Sequence, residues 1–177
     1  MKYKHLYKCC YSGPVTDTDP TEHAVWRSLW DLQAAMDADI ARVYAEADIP
    51  GLRPVWVKEL IKLHRHGPMT ISELAAAVGR THSALSQKVS AMRAAGWVRT
   101  EAGPDARTKT VALTGKAERI AGRLAAEWRA TEAAVAEIDA ELPYPMTRVV
   151  RDIEAALRRK SFRDRIVAKL ARDPAWE

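Results

Sequence analysis

Apolar residues recur at helical spacing over most of this chain. Between 21 and 48, Val25, Leu29, Leu32, Met36, Ile40 and Val43 make one continuous stripe, which predicts a long helix. Thr21 after Pro20 is its expected N-cap, and Pro50-Gly51 its expected stop. Trp56, Leu60 and Leu63 share one face of a second helix over 53–65, ended by Gly67-Pro68. Thr70 with Glu73 has the spacing of a capping box, and Met69 with Leu74 that of a hydrophobic staple. They open a short third helix, which Gly79 closes as a left-handed residue. A fourth helix starts near Thr81, runs to about Ala95 and stops at Gly96, with Leu85, Val89 and Met92 as its apolar edge.

The period then changes. Trp97–Thr100 and Thr108–Leu113 are rich in β-branched residues and flank Gly103-Pro104-Asp105, so a hairpin is predicted. Thr114 caps a helix over 115–141 with Ile120, Leu124, Trp128, Val135 and Ile138 on one stripe. At 1.5 Å per residue that helix spans about 40 Å, longer than a small domain needs for its own core. Pro143 and Pro145 break it. Val149, Ile153 and Leu157 continue in register, while Phe162, Ile166 and Leu170 follow at a shifted phase. Ser161 with Asp164 caps a new helix, so a break is expected near 160.

The predicted fold is mainly α with a small β-hairpin wing: a winged helix-turn-helix lobe flanked by long N- and C-terminal helices. The expected organisation is a leader over 1–20, an N-terminal helix over 21–50 and the lobe over 51–114. A long linker helix and the C-terminal helices take up 115–177.

Charge adds a direction to this outline. The chain has a net charge of +5, spread unevenly. Residues 21–48 hold 2 basic and 6 acidic side chains, whereas 49–69 hold 4 and 1, and 70–113 hold 6 and 3. A nucleic-acid footprint on one module has this form. No apolar run approaches the ~20 residues needed to span a bilayer. Two cysteines, adjacent at Cys9 and Cys10, cannot make a disulfide framework, so a reducing cytoplasm is expected.

The fourth helix divides its faces. Opposite the apolar edge it presents Thr81, His82, Ser83, Ser86, Gln87, Ser90 and Arg93. Gln pairs bidentately with adenine, and Ser or Thr serves either a base or a phosphate. Lys88 at the edge of this face suits a phosphate. The plain alternative is a solvated face, but such faces carry Glu and Lys in i, i+4 pairs, and no acidic residue occurs from 81 to 95. These side chains are therefore expected to meet double-stranded DNA. The hairpin tip continues the argument. Arg107 suits a narrow minor groove, Asp105 is placed to orient its guanidinium, and Lys109 adds charge; a surface turn with an incidental ion pair is the alternative.

At this point the chain resembles the MarR family of bacterial transcriptional regulators over roughly residues 22–172. The matching motifs are Ser72-Glu73-Leu74-Ala75, Leu85-Ser86-Gln87-Lys88-Val89 through Met92 to Gly96, and Asp105-x-Arg107 followed by Val111-x-Leu113-Thr114. The resemblance implies a homodimer held by the first and last helices on a palindromic operator. It implies that Arg107 is the minor-groove arginine with Asp105 its partner. It also implies a ligand site between the dimer helices and the DNA-binding lobe, and a cytoplasmic protein, on the nucleoid when bound to DNA. One departure is Gly115, which follows the Leu-Thr pair at once where the family has glycine two positions later, at the place of Ala117.

Trp26, Trp30 and Trp56, with His64 or Arg53 as an anchor, are candidates to line a pocket for a small aromatic or anionic effector; core packing is the alternative. His64 and His66 point apart on a helix and have no third ligand, so no metal is expected, and no cofactor. Lys8 beside Cys9 favours a thiolate, but both cysteines precede the Gly13-Pro14 break, outside the matching region. No nucleophile motif or phosphate-cradling loop points to an enzyme. The expected function is a sequence-specific DNA-binding regulator, a repressor released by a small molecule. The alternatives are a constitutive or architectural DNA binder, and a protein-interaction module on the same scaffold.

Overall fold

A computed structural model describes residues 19, 21, 24–103 and 108–176. Cys9, Cys10, Asp105 and Arg107 lie outside the described residues. The chain forms two compact units, one ending at Ala121 and one beginning at Gly122.

In the first unit, α1 covers Arg27–Glu46. It starts later than Thr21 predicts: its N-cap is Trp26, and the Thr21 hydroxyl and amide both donate to the Asp19 carboxylate, at 2.7 and 2.8 Å. It also ends before Pro50. Asp48 takes the left-handed conformation (φ 57°), and the Ile49 amide turns back to the Tyr44 carbonyl at 2.8 Å. A 3-10 turn at Pro54–Trp56 replaces the first turn of the expected second helix, and α2 runs Val57–His66.

A short strand β1 (Met69–Thr70) leads into α3 (Ile71–Val78), a turn, and α4 (His82–Ala94). Strands β2 (Val98–Ala102) and β3 (Lys109–Leu113) form the hairpin. The antiparallel sheet has order β1-β3-β2, with Met69 opposite Val111 and Val98 opposite Leu113. The core of this lobe is made by Val57, Leu60, Leu63, Leu74, Leu85, Met92, Trp97 and Val98, all buried. The apolar edges read from spacing are thus the ones that pack.

Local capping follows the sequence closely. The Thr70 hydroxyl accepts the Glu73 amide at 3.2 Å, and a Glu73 carboxylate oxygen accepts the Thr70 amide at 2.7 Å. Gly79 closes α3 at φ 69°. The Thr81 hydroxyl accepts the Ala84 amide, capping α4. The Thr70 amide, then its hydroxyl, holds the Glu73 carboxyl below its ordinary 4.5. A carboxyl lowered in the native state adds stability that is complete above its ordinary value and is lost as pH falls through the native one. Thr70→Ala removes the hydroxyl partner of that link and keeps the amide one. The stability gap between wild type and Thr70→Ala, measured by thermal unfolding, is therefore expected to narrow from neutral pH into acid. A gap independent of pH contradicts it.

α5 is one helix over Gly115–Glu141. In the second unit, α6 (Met146–Arg159) and α7 (Phe162–Leu170) follow. The Asp139 carboxylate accepts the Met146 amide at 2.6 Å, tying the proline turn to α5. The expected break near 160 is present, with the Ser161 hydroxyl accepting the Asp164 amide. Arg165 reaches back to the Ala156 and Lys160 carbonyls, closing the C-terminal end of α6. Neither α6 nor α7 has a buried residue.

Candidate nucleic-acid interface

The turn between α3 and α4 determines which side of α4 faces outward. Gly79 reverses the chain, the Arg80 amide returns to the Ala75 carbonyl at 2.9 Å, and Thr81 opens α4. Leu85, Val89 and Met92 are buried against the lobe. Thr81, His82, Ser83, Gln87 and Ser90 are exposed, and Ser86 is partly exposed. Arg80 and Arg93 are also exposed, at the two ends of the helix. The result is a face of short hydroxyls, one amide and one imidazole, with positive charge at both ends. Such a face can donate to and accept from base edges without a carboxylate to repel phosphate.

Trp97 fixes the hairpin to this helix. Its amide donates to the Met92 carbonyl at 2.9 Å, closing α4 with Gly96 at φ 74°. Its buried indole N–H donates to the Gly51 carbonyl at 3.2 Å, and the Lys116 ammonium stands 3.7 Å from the ring centre. The Thr114 amide donates to the Trp97 carbonyl, and the Thr114 hydroxyl to the Gly96 carbonyl. Helix, strand and the start of α5 thus meet at one residue. Sequence reading treated Trp97 only as the start of a strand.

Along the hairpin, the register ends with Ala102 opposite Lys109, and the Gly103 amide donates to the Thr108 carbonyl at 2.9 Å. Lys109 is exposed. A Cβ on Gly103 would collide with the Thr108 side chain, so glycine is required there by space. Arg99 pairs with Glu101 across 2.6 Å and donates to the Leu113 carbonyl, which commits it within the hairpin.

Lys88, expected at the edge of the reading face, has partners inside the lobe. Its ammonium donates to the Glu59 carboxylate at 2.7 Å and to the Val55 carbonyl at 2.8 Å. It therefore points into the lobe, where those two acceptors occupy it. Glu59 was missed. The available signal was its position: Trp56, Glu59, Leu60 and Leu63 fall at i, i+3, i+4 and i+7, so an acid sits on the apolar stripe.

The candidates for an effector pocket have separate surroundings. Trp56 is buried in the lobe, with the Arg53 guanidinium 5.4 Å from its ring centre. Trp26 and Trp30 are exposed. His64 pairs through Nδ1 with the Glu118 carboxylate at 2.9 Å, joining α2 to the start of α5. Among the described residues no helix is long and apolar enough to cross a membrane.

Residues 52–108 match the model of the MarR family. No curated protein matches the chain by sequence. Among solved structures, the Mycobacterium tuberculosis transcriptional regulator MOSR in complex with DNA is 25% identical, with a TM-score of 0.51. The match covers 76% of this chain and 93% of that one. The S. aureus MepR–DNA complex is 15% identical with a TM-score of 0.52, covering 77% and 95%. The transcriptional regulator SlyA is 10% identical with a TM-score of 0.51, covering 78% and 92%. The last two show likeness of fold. With its capped α3 and α4, the hairpin behind them and the family match over residues 52–108, this chain has the winged helix-turn-helix fold of the MarR-family transcriptional regulators.

Proposed function

We propose that this protein is a homodimeric repressor that reads a palindromic operator and leaves it when a small aromatic or anionic molecule binds. The observation that carries the reading is the exposed, acid-free face of α4. MOSR and MepR, similar to this chain, are seen bound to DNA. Thr81, His82, Ser83, Ser86, Gln87 and Ser90 read base edges, while Arg107 and Lys109 act from the wing and Asp105 orients Arg107.

A second copy is the natural cover for the apolar surface outside the lobe. Leu29, Leu32 and Val43 of α1 are exposed, as are Phe162, Ile166 and Val167 of α7. Apolar stripes this long on terminal helices mark association surfaces. Two-fold pairing sets the two α4 helices about 34 Å apart, one turn of DNA.

Titration of the protein against its own upstream DNA and against unrelated DNA, at several salt concentrations, tests this. Tighter binding to the upstream DNA is expected, with log K falling against log salt by about 0.9 per phosphate contacted. Equal binding to both DNAs favours an architectural role, and binding without salt dependence a protein-interaction module. A thermal-shift screen of aromatic acids tests the effector, since a ligand of the native state raises Tm by mass action.

A further inference from the structure

The Lys88–Glu59 pair joins the proposed reading helix to α2 through a contact that DNA binding does not require. The Glu59 side chain is 2% exposed and that of Lys88 24%. One carboxylate oxygen receives the Lys88 ammonium, and the other, Oε2, is buried with no hydrogen-bond partner among the described residues. Lys88 also holds the Val55 carbonyl in the turn that precedes α2. A single ammonium thus ties α4 to two points on the α2 side of the lobe.

The two helices mirror each other in pattern. On α4, Leu85, Lys88, Val89 and Met92 stand at i, i+3, i+4 and i+7; Trp56 in the turn before α2, with Glu59, Leu60 and Leu63 of α2, does the same. Each apolar stripe holds one charge at its second position, and the charges are opposite. Apolar packing has little directionality, so Leu85, Val89 and Met92 alone leave the rotation of α4 loosely specified. An ammonium between two fixed acceptors is directional. A buried ion pair contributes little net stability, because desolvating both charges offsets their attraction, so its effect is sought in geometry.

We infer that Lys88 and Glu59 are positioning residues: their buried ion pair sets the rotation and depth of α4 on the lobe, and with them the aim of Ser86, Gln87 and Ser90. Lys88 itself meets no phosphate. The inference rests on the DNA-binding reading above and adds a determinant of specificity to it.

The test uses the full-length protein and the DNA that the wild type selects from a random pool. The double variant Glu59→Leu with Lys88→Met replaces the pair by apolar groups and leaves no buried charge alone. It is expected to keep the wild-type Tm or exceed it, to bind selected DNA about tenfold more weakly, the scale of one lost base contact, and to discriminate less against unrelated DNA. Its salt slope should equal that of the wild type. A slope lower by about one per subunit makes Lys88 a phosphate ligand and overturns the inference. Tighter binding by Glu59→Gln means that Glu59 withholds Lys88 from DNA, and also overturns it. So does wild-type affinity in the double variant. If the wild type selects no DNA, the functional reading fails separately, and hydrogen exchange decides the pair. Faster exchange confined to α4 in the double variant is expected, and wild-type protection throughout α4 overturns it.

Discussion

Trp97→Ala is expected to destabilise the lobe by about 3–5 kcal/mol, the range for a large aromatic truncated in a core. Domains of this size have about 5–15 kcal/mol in total, so the loss removes about a fifth of the stability or more. The indole is among the largest fully buried side chains. Its N–H satisfies the Gly51 carbonyl, and its ring carries the Lys116 ammonium. Its backbone, which alanine keeps, closes α4 and accepts the Thr114 amide. Trp97→Phe keeps most of the buried area but forfeits the Gly51 bond, worth about 1 kcal/mol, and should lie between. Urea denaturation followed by circular dichroism measures both. A Trp97→Ala protein within about 1 kcal/mol of wild type would sink the claim that this residue joins the helix to the wing.

The second large effect is on DNA. Arg107→Ala is expected to weaken binding to the selected operator by about 1–3 kcal/mol per half-site, ten- to hundredfold for each wing. Melting should barely change, because the hairpin is held by its β2–β3 register and by the Gly103 amide on Thr108. The prediction rests on sequence, since Arg107 and its partner Asp105 lie outside the described residues. An arginine between paired strands, two residues from an aspartate, suits a narrow minor groove, where lysine does less well. Arg107→Lys should therefore recover only part of the affinity. Unchanged affinity in Arg107→Ala would move base or shape reading away from the wing and leave α4 as the whole interface.

The two predictions draw on different kinds of information. The sequence signal for Arg107 is local: Gly-Pro-Asp between β-branched runs. The capping box of Thr70, the left-handed Gly79, the Ser161 cap and the bounds of α5 were legible for the same reason. Each depends on hydrogen bonds that close within a few residues, which spacing alone reveals. The start of α1 was misplaced because Thr21 has two choices of partner, and Asp19 is nearer than the helix. β1 escaped notice because two residues are too few to show a period; it exists only because Val111 and Thr110 lie opposite it.

Lys88 marks the boundary most sharply. Sequence put it on the edge of the reading face, and its charge suggested phosphate. The structure turns it inward to Glu59, 29 residues away, and to Val55, 33 away. Trp97 likewise finds Gly51 across 46 residues. By itself, the sequence determined which segments are helical or extended, where they are capped, and which face of α4 is free of acids, because those follow from neighbours within a turn or two. Tertiary structure alone decided which charges face inward and which aromatic joins the pieces. Those partners are remote in the chain, and only packing the apolar stripes together brings them within hydrogen-bonding distance.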